Sequence, residues 1–240
     1  MVPLVPDNIS VRKNNISFTV EDSFELHQDT GYNFWLEKYS SWEPETFKVL
    51  DSYLSKDKDY LDIGAWVGPT AIYGSFLSRK VIAIEPDPIA YKILQKNIFL
   101  NSIKNIDVLN KAASRLDQVF LQSSKFFGDS MTRVSEKNLG SNATETVGLD
   151  TLVSMGDFSL IKIDIEGHEF SLIKEYISVL NSYKIPLLLS VHSPFFANGD
   201  TLMEDLLNDL SKVKSILDEN GEEVDRKNIP NSFGSYLFIW

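Results

Sequence analysis

The chain has 240 residues, 43% apolar and 24% charged, with a formal charge of −11 and no cysteine. That length can bury one large α/β core or two small ones, and the missing thiols exclude a disulfide framework and a thiolate zinc site. A surface this negative repels phosphate backbones, and no Lys/Arg run offsets it, so a nucleic-acid partner is not expected.

The N-terminus, Met1-Val2-Pro3-Leu4-Val5-Pro6-Asp7, lacks the basic and apolar regions of a signal peptide. No segment approaches the roughly 18 apolar residues needed to span a bilayer. A soluble, cytoplasmic protein is the expectation. Residues 1–30 alternate loosely, with Ile16, Phe18 and Val20 followed by Phe24 and Leu26, and read as short strands of an arm or lid. Residues 32–55 read as helical: Trp35, Leu36 and Tyr39 share one face, Phe47, Leu50 and Leu54 another, and Pro44 suits a first helical turn.

A regular alternation then begins. Asp59 to Ile63 is a short apolar strand ending in a Gly-containing turn, and residues 69–78 read as a helix. Val81 to Ile84 is a second strand, followed by Glu85-Pro86-Asp87-Pro88. Asp87 can cap the next helix and Pro88 can take its first position; Ala90, Leu94 and Ile98 give that helix an apolar face. Ile106 to Leu109 is a third strand. Residues 111–156 are less regular, with β-like runs near Val119–Leu121 and Thr146–Leu149. Phe158 to Ile163 is a fourth strand and Ile185 to Val191 a fifth, the latter ending at His192. Asp200 is placed to cap a helix carrying Leu206, Leu210, Val213 and Leu217 at helical spacing, and Glu223–Val224 with Tyr236–Trp240 reads as a closing antiparallel hairpin. About seven strands in one domain, alternating with helices, predict a mostly parallel α/β sheet covered on both faces.

The turn after the first strand carries the chemistry. Gly64 and Gly68 let a ligand approach the backbone, and the following helix N-terminus suits a carboxylate. S-adenosylmethionine has such a carboxylate, and its ammonium would favour an acid such as Asp62. Glu85 ends the next strand 21 residues after Gly64, where a carboxylate can accept both ribose hydroxyls. Asn110 and Ala112, after the third strand, fall near the adenine. A Gly-containing strand–helix turn by itself is often only a turn; the paired placement on successive strand ends is what makes the reading specific.

Residues 59–70 (DYLDIGAWVGPT), 81–87 (VIAIEPD) and 161–169 (IKIDIEGHE) resemble the signature segments of the FkbM family of class I methyltransferases, over roughly residues 45–195. The resemblance implies a Rossmann-like seven-stranded sheet with the last strand antiparallel, over residues 43–240, with residues 1–42 as the arm. It implies S-adenosylmethionine as cofactor, held by Asp62, Gly64, Ala65, Trp66, Gly68, Pro69, Thr70, Glu85, Pro86, Asp87, Asn110, Ala112 and Asp164. It also makes Glu43 a candidate contact for the cofactor's amino group. The implied reaction is methyl transfer to a hydroxyl, on a sugar or other natural product. Trp66 stands where the family commonly carries Asn.

An alcohol oxygen needs a base, or a metal that lowers its pKa. Asp164, Glu166, His168 and His192 sit at or after the ends of the fourth and fifth strands, the rim where open α/β sheets bind ligands. One reading makes His192 or His168 the general base, with Asp164 orienting substrate or cofactor. A second has Asp164, Glu166 and His192 bind Mg²⁺ or Mn²⁺. More simply, Glu166 serves the dipole of the following helix, His168 is an ordinary first-turn residue, His192 is a satisfied turn residue, and Glu169 is solvated. Phe126, Phe127, Asp129 and Met131 sit in the irregular stretch, which with the N-terminal arm is the expected source of substrate specificity; Tyr32, Phe34, Trp35 and Trp42 supply aromatic faces for a glycan acceptor or pack the arm onto the core. Two rivals remain. An NAD-dependent oxidoreductase predicts Gly-x-Gly-x-x-Gly, which is absent; a catalytically silent scaffold would retain the fold alone.

Overall fold

The computed structural model describes residues 8–21, 34–122, 128, 130–137 and 142–240. Phe24, Leu26, Tyr32, Phe126, Phe127 and Asp129 lie outside that set. The first described segment is an antiparallel ribbon of β1 (Asn8–Lys13) and β2 (Ile16–Glu21). Its alternation buries Val11, Phe18 and Val20. The helical run expected over residues 32–55 is instead a π-helical turn at Phe34–Lys38, a break, and helix α1 at Pro44–Tyr53. Pro44 is the cause. A residue before proline avoids the right-handed helical region, and Glu43 takes the left-handed one (φ 43°).

The alternation expected from the sequence follows: β3 (Asp59–Ile63), α2 (Pro69–Ser75), β4 (Lys80–Ile84), α3 (Pro88–Leu100) and β5 (Ile106–Leu109). Asp87 caps α3, its Oδ1 accepting from the N–H groups of Ile89 (2.8 Å) and Ala90 (3.2 Å). The irregular stretch then builds a sheet of its own from β6 (Ala112–Ala113), β7 (Gln118–Gln122), β8 (Arg133–Ser135) and β9 (Asn142–Val147), in the order β6-β9-β7-β8. Helix α4 (Leu149–Ser154), β10 (Phe158–Ile163), α5 (Glu169–Tyr183), β11 (Leu187–Val191) and α6 (Gly199–Asp209) complete the α/β alternation.

Two expectations at the C-terminus are corrected. Helix α6 stops at Asp209, with Asn198 rather than Asp200 at its N-cap, and the periodic Leu210 and Val213 lie beyond it. Leu217 belongs to a strand, β12 (Ser215–Leu217). That strand, not Glu223–Val224, pairs with β13 (Gly234–Ile239); Glu223 forms only an isolated bridge to Leu217. A regular apolar spacing of 206, 210, 213 and 217 fits a helix, but a strand edge satisfies the same burial once β13 is beside it.

The main sheet has seven strands in the order β12-β13-β11-β10-β3-β4-β5, with β13 antiparallel to both neighbours. The chain winds outward from β3 through β4 to β5, then returns to β10 and β11 on the other side. The strand order therefore reverses between β3 and β10, and a crevice opens beyond their carboxyl ends. Alternate strand residues feed two apolar layers. Leu61, Ile63, Ile82 and Ile84 face α5 and α6, while Tyr60, Val81 and Ala83 face α1, α2, α3 and the β1–β2 ribbon. No described helix is long and apolar enough to cross a membrane.

Candidate active site

The loop after β3 is shaped by contact with the loop after β10. The N–H groups of Gly64 and Ala65 both donate to the Ile84 carbonyl (2.9 and 3.0 Å), and Asp164 donates to the Ile63 carbonyl (2.9 Å). Gly64 has φ +87°, and a Cβ there would lie 1.8 Å from the Asp164 carbonyl oxygen. Only glycine fits. Trp66 is also left-handed (φ 48°). Its backbone N–H donates to Glu85 Oε2 (2.7 Å), its indole N–H donates to the Gly128 carbonyl (2.9 Å), and its ring stands edge-on to Phe34 at 4.8 Å. The indole thus ties this loop to the segment around Gly128.

Glu85 is almost fully buried; its Oε1 accepts from the Asp87 N–H at 2.7 Å. Burial pushes its carboxyl up to about 8, against the pull of the two backbone N–H groups. Asn110 donates to the Glu85 and Pro86 carbonyls (2.8 and 3.0 Å) and braces the strand ends. Asp87, besides capping α3, accepts through Oδ2 from the Gly128 N–H (2.7 Å) and the Thr132 hydroxyl (2.9 Å). Asp62 is fully buried, accepting from the Thr70 hydroxyl (2.7 Å) with Oδ1 4.0 Å from Lys162 Nζ.

Two adjoining cavities share Gly64, Trp66, Asp164 and Glu166. The larger, about 670 Å³, adds Glu43, Ala65, Pro69, Thr70, Lys162 and His192 to its walls. The smaller, about 50 Å³, is walled by Ile84, Glu85, Pro86, Ala112 and His168 among others. Asp62, Gly68, Asp87 and Asn110 line neither; each supports residues that do.

His192 stands at the centre of the acidic end. Its Nδ1 is 3.1 Å from Glu169 Oε1, and its Nε2 is 3.6 Å from both Asp164 Oδ1 and Glu166 Oε2. Burial alone would lower its pKa; the bond to Glu169 and the three carboxylate charges outweigh it and raise it to about 9. Lys162 donates to Asp164 Oδ2 at 3.0 Å, and the Asp164, Asp62 and Glu43 charges keep it protonated despite burial. For Asp164 burial opposes ionisation, but Lys162 and His192 hold it below the usual carboxylate range. Burial and the Asp164 charge push Glu43 up to about 7. Glu166 also rises to about 7, by burial, with His192 opposing.

Several residues read differently here than in the sequence. Glu169, expected to be solvated, is fully buried: it accepts from the N–H groups of Gly167 and His192 (both 2.7 Å) and holds the His192 ring. The two rim histidines are not brought together. His168 lines the smaller cavity, and burial pulls its pKa down. Lys162 was not singled out, yet a lysine inside an apolar strand is itself a signal, since such a group is buried only when paired. It pairs in register with Asp62 on β3 and lies two residues before Asp164, on the same face. Of the aromatic supply, Phe34 and Trp42 line the large cavity, while Trp35 packs in the core.

The walls suit a cation. Glu43, Asp164 and Glu166 line the large cavity, with Asp62 and Glu169 buried behind it; Lys38, Lys162 and His192 offset part of their charge, and the remaining carboxylates are complementary to an ammonium and a sulfonium. Asp164, Glu166 and His192 also offer one ligand atom each, all within 4.8 Å of one another. Two carboxylates and an imidazole are a donor set for Mg²⁺ or Mn²⁺.

The family model described as "Methyltransferase FkbM domain" matches residues 62–223, beginning later and ending later than the segments noted in the sequence. A hexuronic acid methyltransferase of Haloferax volcanii is 24% identical over 154 residues, covering 63% of each chain. A ribosomal protein L11 methyltransferase of Alkaliphilus oremlandii is 38% identical over 58 residues, 24% of this chain and 18% of its own. The chain spans less than two thirds of the length of both relatives. Among solved structures, that of M. jannaschii TYW2 in complex with AdoMet aligns with a TM-score of 0.52 at 13% identity, covering 97% of this chain and 84% of its own, a likeness of fold.

Proposed function

This chain belongs to the FkbM family of methyltransferases, and from that premise we propose that it transfers the methyl group of S-adenosylmethionine to a hydroxyl oxygen of a small molecule or glycan, a sugar above all. The observation that carries this reading is the continuity of the large cavity. It runs from the Gly64 loop to Asp164 and His192 and adjoins the smaller cavity that Glu85 lines, so cofactor and acceptor would meet in one connected, acidic space. The Haloferax volcanii relative, named for a hexuronic acid, supports a sugar.

S-adenosylmethionine supplies the electrophilic methyl carbon. Glu85 accepts the ribose hydroxyls on the lone pairs its two backbone bonds leave free. Glu43, beside Lys162 and Asp164, takes the ammonium. Pro86, Ala112 and His168 wall the adenine side. At the other end Glu169 fixes the His192 ring through Nδ1 and leaves Nε2 toward the cavity; in its neutral form the ring is the base for the acceptor hydroxyl, so turnover through it should rise with pH through about 9. Asp164 and Glu166, both 3.6 Å from Nε2, orient that hydroxyl for in-line attack. In the alternative reading Asp164, Glu166 and His192 would instead hold a divalent cation, which would lower the hydroxyl pKa in place of a His192 base.

Calorimetry with S-adenosylmethionine, followed by methyl-transfer assays on free sugars and glycosides with and without Mg²⁺ or Mn²⁺, tests the reading. Absence of cofactor binding sinks it at the first step. Binding without transfer to any hydroxyl sinks the acceptor class, and unchanged turnover after exhaustive chelation removes the cation.

A further inference from the structure

Phe233 lines the large cavity, Phe195 stacks on His192 beside it and Arg133 lies on Phe195, and the chemistry above gives none of them a task. Phe195 stacks on the His192 ring (5.6 Å between centres, 12° between planes). Phe233 stands edge-on to both, 5.1 Å from Phe195 and 6.1 Å from His192. Phe233 lines the cavity and is nevertheless 56% exposed. A single exposed ring is ordinary by itself; this one lines a polar cavity, where an apolar face beside convergent polar groups suits a ligand.

Arg133 lies with its guanidinium carbon 3.6 Å from the centre of the Phe195 ring. The ring covers one face of the guanidinium and limits its motion. The N–H groups in its plane remain as a fork suited to a carboxylate. Its charge acts on Glu166, but among the described residues no carboxylate lies within ion-pair distance of it. The interior beyond is net negative, so an anionic group on the acceptor is repelled from it and favoured at this rim cation. Glu166, on which the Arg133 charge acts, lines the cavity and stands 3.6 Å from His192 Nε2, so the guanidinium belongs to the same end of the site as the His192 ring.

We infer that Phe233 and Arg133 form an acceptor subsite for a hexuronate, with the apolar face of the sugar on Phe233, its carboxylate on Arg133 and a hydroxyl directed inward to His192. This rests on the sugar reading above and gives the sugar a charge and an orientation.

The test is binding of methyl glucuronide, methyl glucoside and glucose 6-phosphate to the protein loaded with S-adenosylhomocysteine, followed by saturation-transfer NMR. Glucuronide is expected to bind at least tenfold more tightly than glucoside. Arg133→Gln is expected to abolish that preference, and Phe233→Ala to weaken both sugars alike, with S-adenosylhomocysteine affinity unchanged in each variant. Equal binding of the two sugars, or a preference that survives Arg133→Gln, overturns the subsite and leaves the methyltransferase reading standing. Tighter binding of the phosphate overturns the carboxylate assignment. The product from glucuronide should be an alkali-stable ether; an alkali-labile methyl ester overturns the orientation. A protein that binds no S-adenosylhomocysteine overturns both readings together.

Discussion

Single residues decide what this site can hold. A side chain at Gly64 would meet a backbone carbonyl at 1.8 Å, and a carbonyl cannot swing aside as a side chain can. Gly64→Ala should therefore cost about 3 kcal/mol by denaturant unfolding; a loss within experimental error would mean the loop relaxes freely. His192 is the residue on which turnover should depend. His192→Ala should lower kcat by roughly 10²–10⁴ while leaving S-adenosylmethionine affinity within a few-fold, and full turnover in that variant would remove it as base. Glu85 sets a pH dependence. Ribose hydroxyls donate to its ionised form, whose pKa in the empty site is about 8. Cofactor affinity should therefore rise with pH through 8 and level off above it, and titration calorimetry at a series of pH values should show that slope vanish in Glu85→Gln.

At the scale of elements, Asp87 joins two sheets. One carboxylate oxygen caps α3, and the other holds Gly128 and Thr132 at the edge of the smaller sheet. Asp87→Ala should cost about 3 kcal/mol, more than a helix cap alone, because it also orphans a buried N–H. Asp87→Asn should recover part of that, and a cost no larger than a simple cap would show that the tie to Gly128 contributes little. The capping half of this was legible in Asp87-Pro88. The tie to Gly128 was not, because 41 residues separate the partners and no local pattern records the pairing. The same holds for β8, a short half-buried strand; of β9 only the end at Thr146–Val147 reads as β-like in the chain, and Leu149, which closes that run, starts helix α4.

Across the whole molecule, the buried carboxylates around the two cavities tie stability to pH. Glu43, Glu85 and Glu166 have pKa values raised by folding, so the stability they contribute is full below about 4.5 and is lost as pH rises toward 7 and 8. His192 acts in the same direction: its contribution is present below 6.5 and lost through about 9. Asp59 and Asp164, whose pKa values are lowered, stabilise above 3.8 and lose that as pH falls. The empty protein should thus melt at progressively lower temperature from pH 5 to pH 9. S-adenosylmethionine, bearing a sulfonium, should restore more of that loss at pH 8 than S-adenosylhomocysteine; equal shifts in scanning calorimetry would contradict this electrostatic account.

The α/β alternation, the Gly64 turn and Glu85 at its strand end were legible in the chain, because hydrophobic period and turn chemistry act between near neighbours; the family was legible through the resemblance of three short segments. Only the tertiary structure decided that Glu169 is buried against His192, that His168 and His192 serve different cavities, and that Lys162 neutralises Asp62 and Asp164. Those outcomes depend on which strands become neighbours. β3 and β10 lie about a hundred residues apart in the chain, yet their pairing puts Lys162 beside Asp62 and brings Gly64 against Asp164.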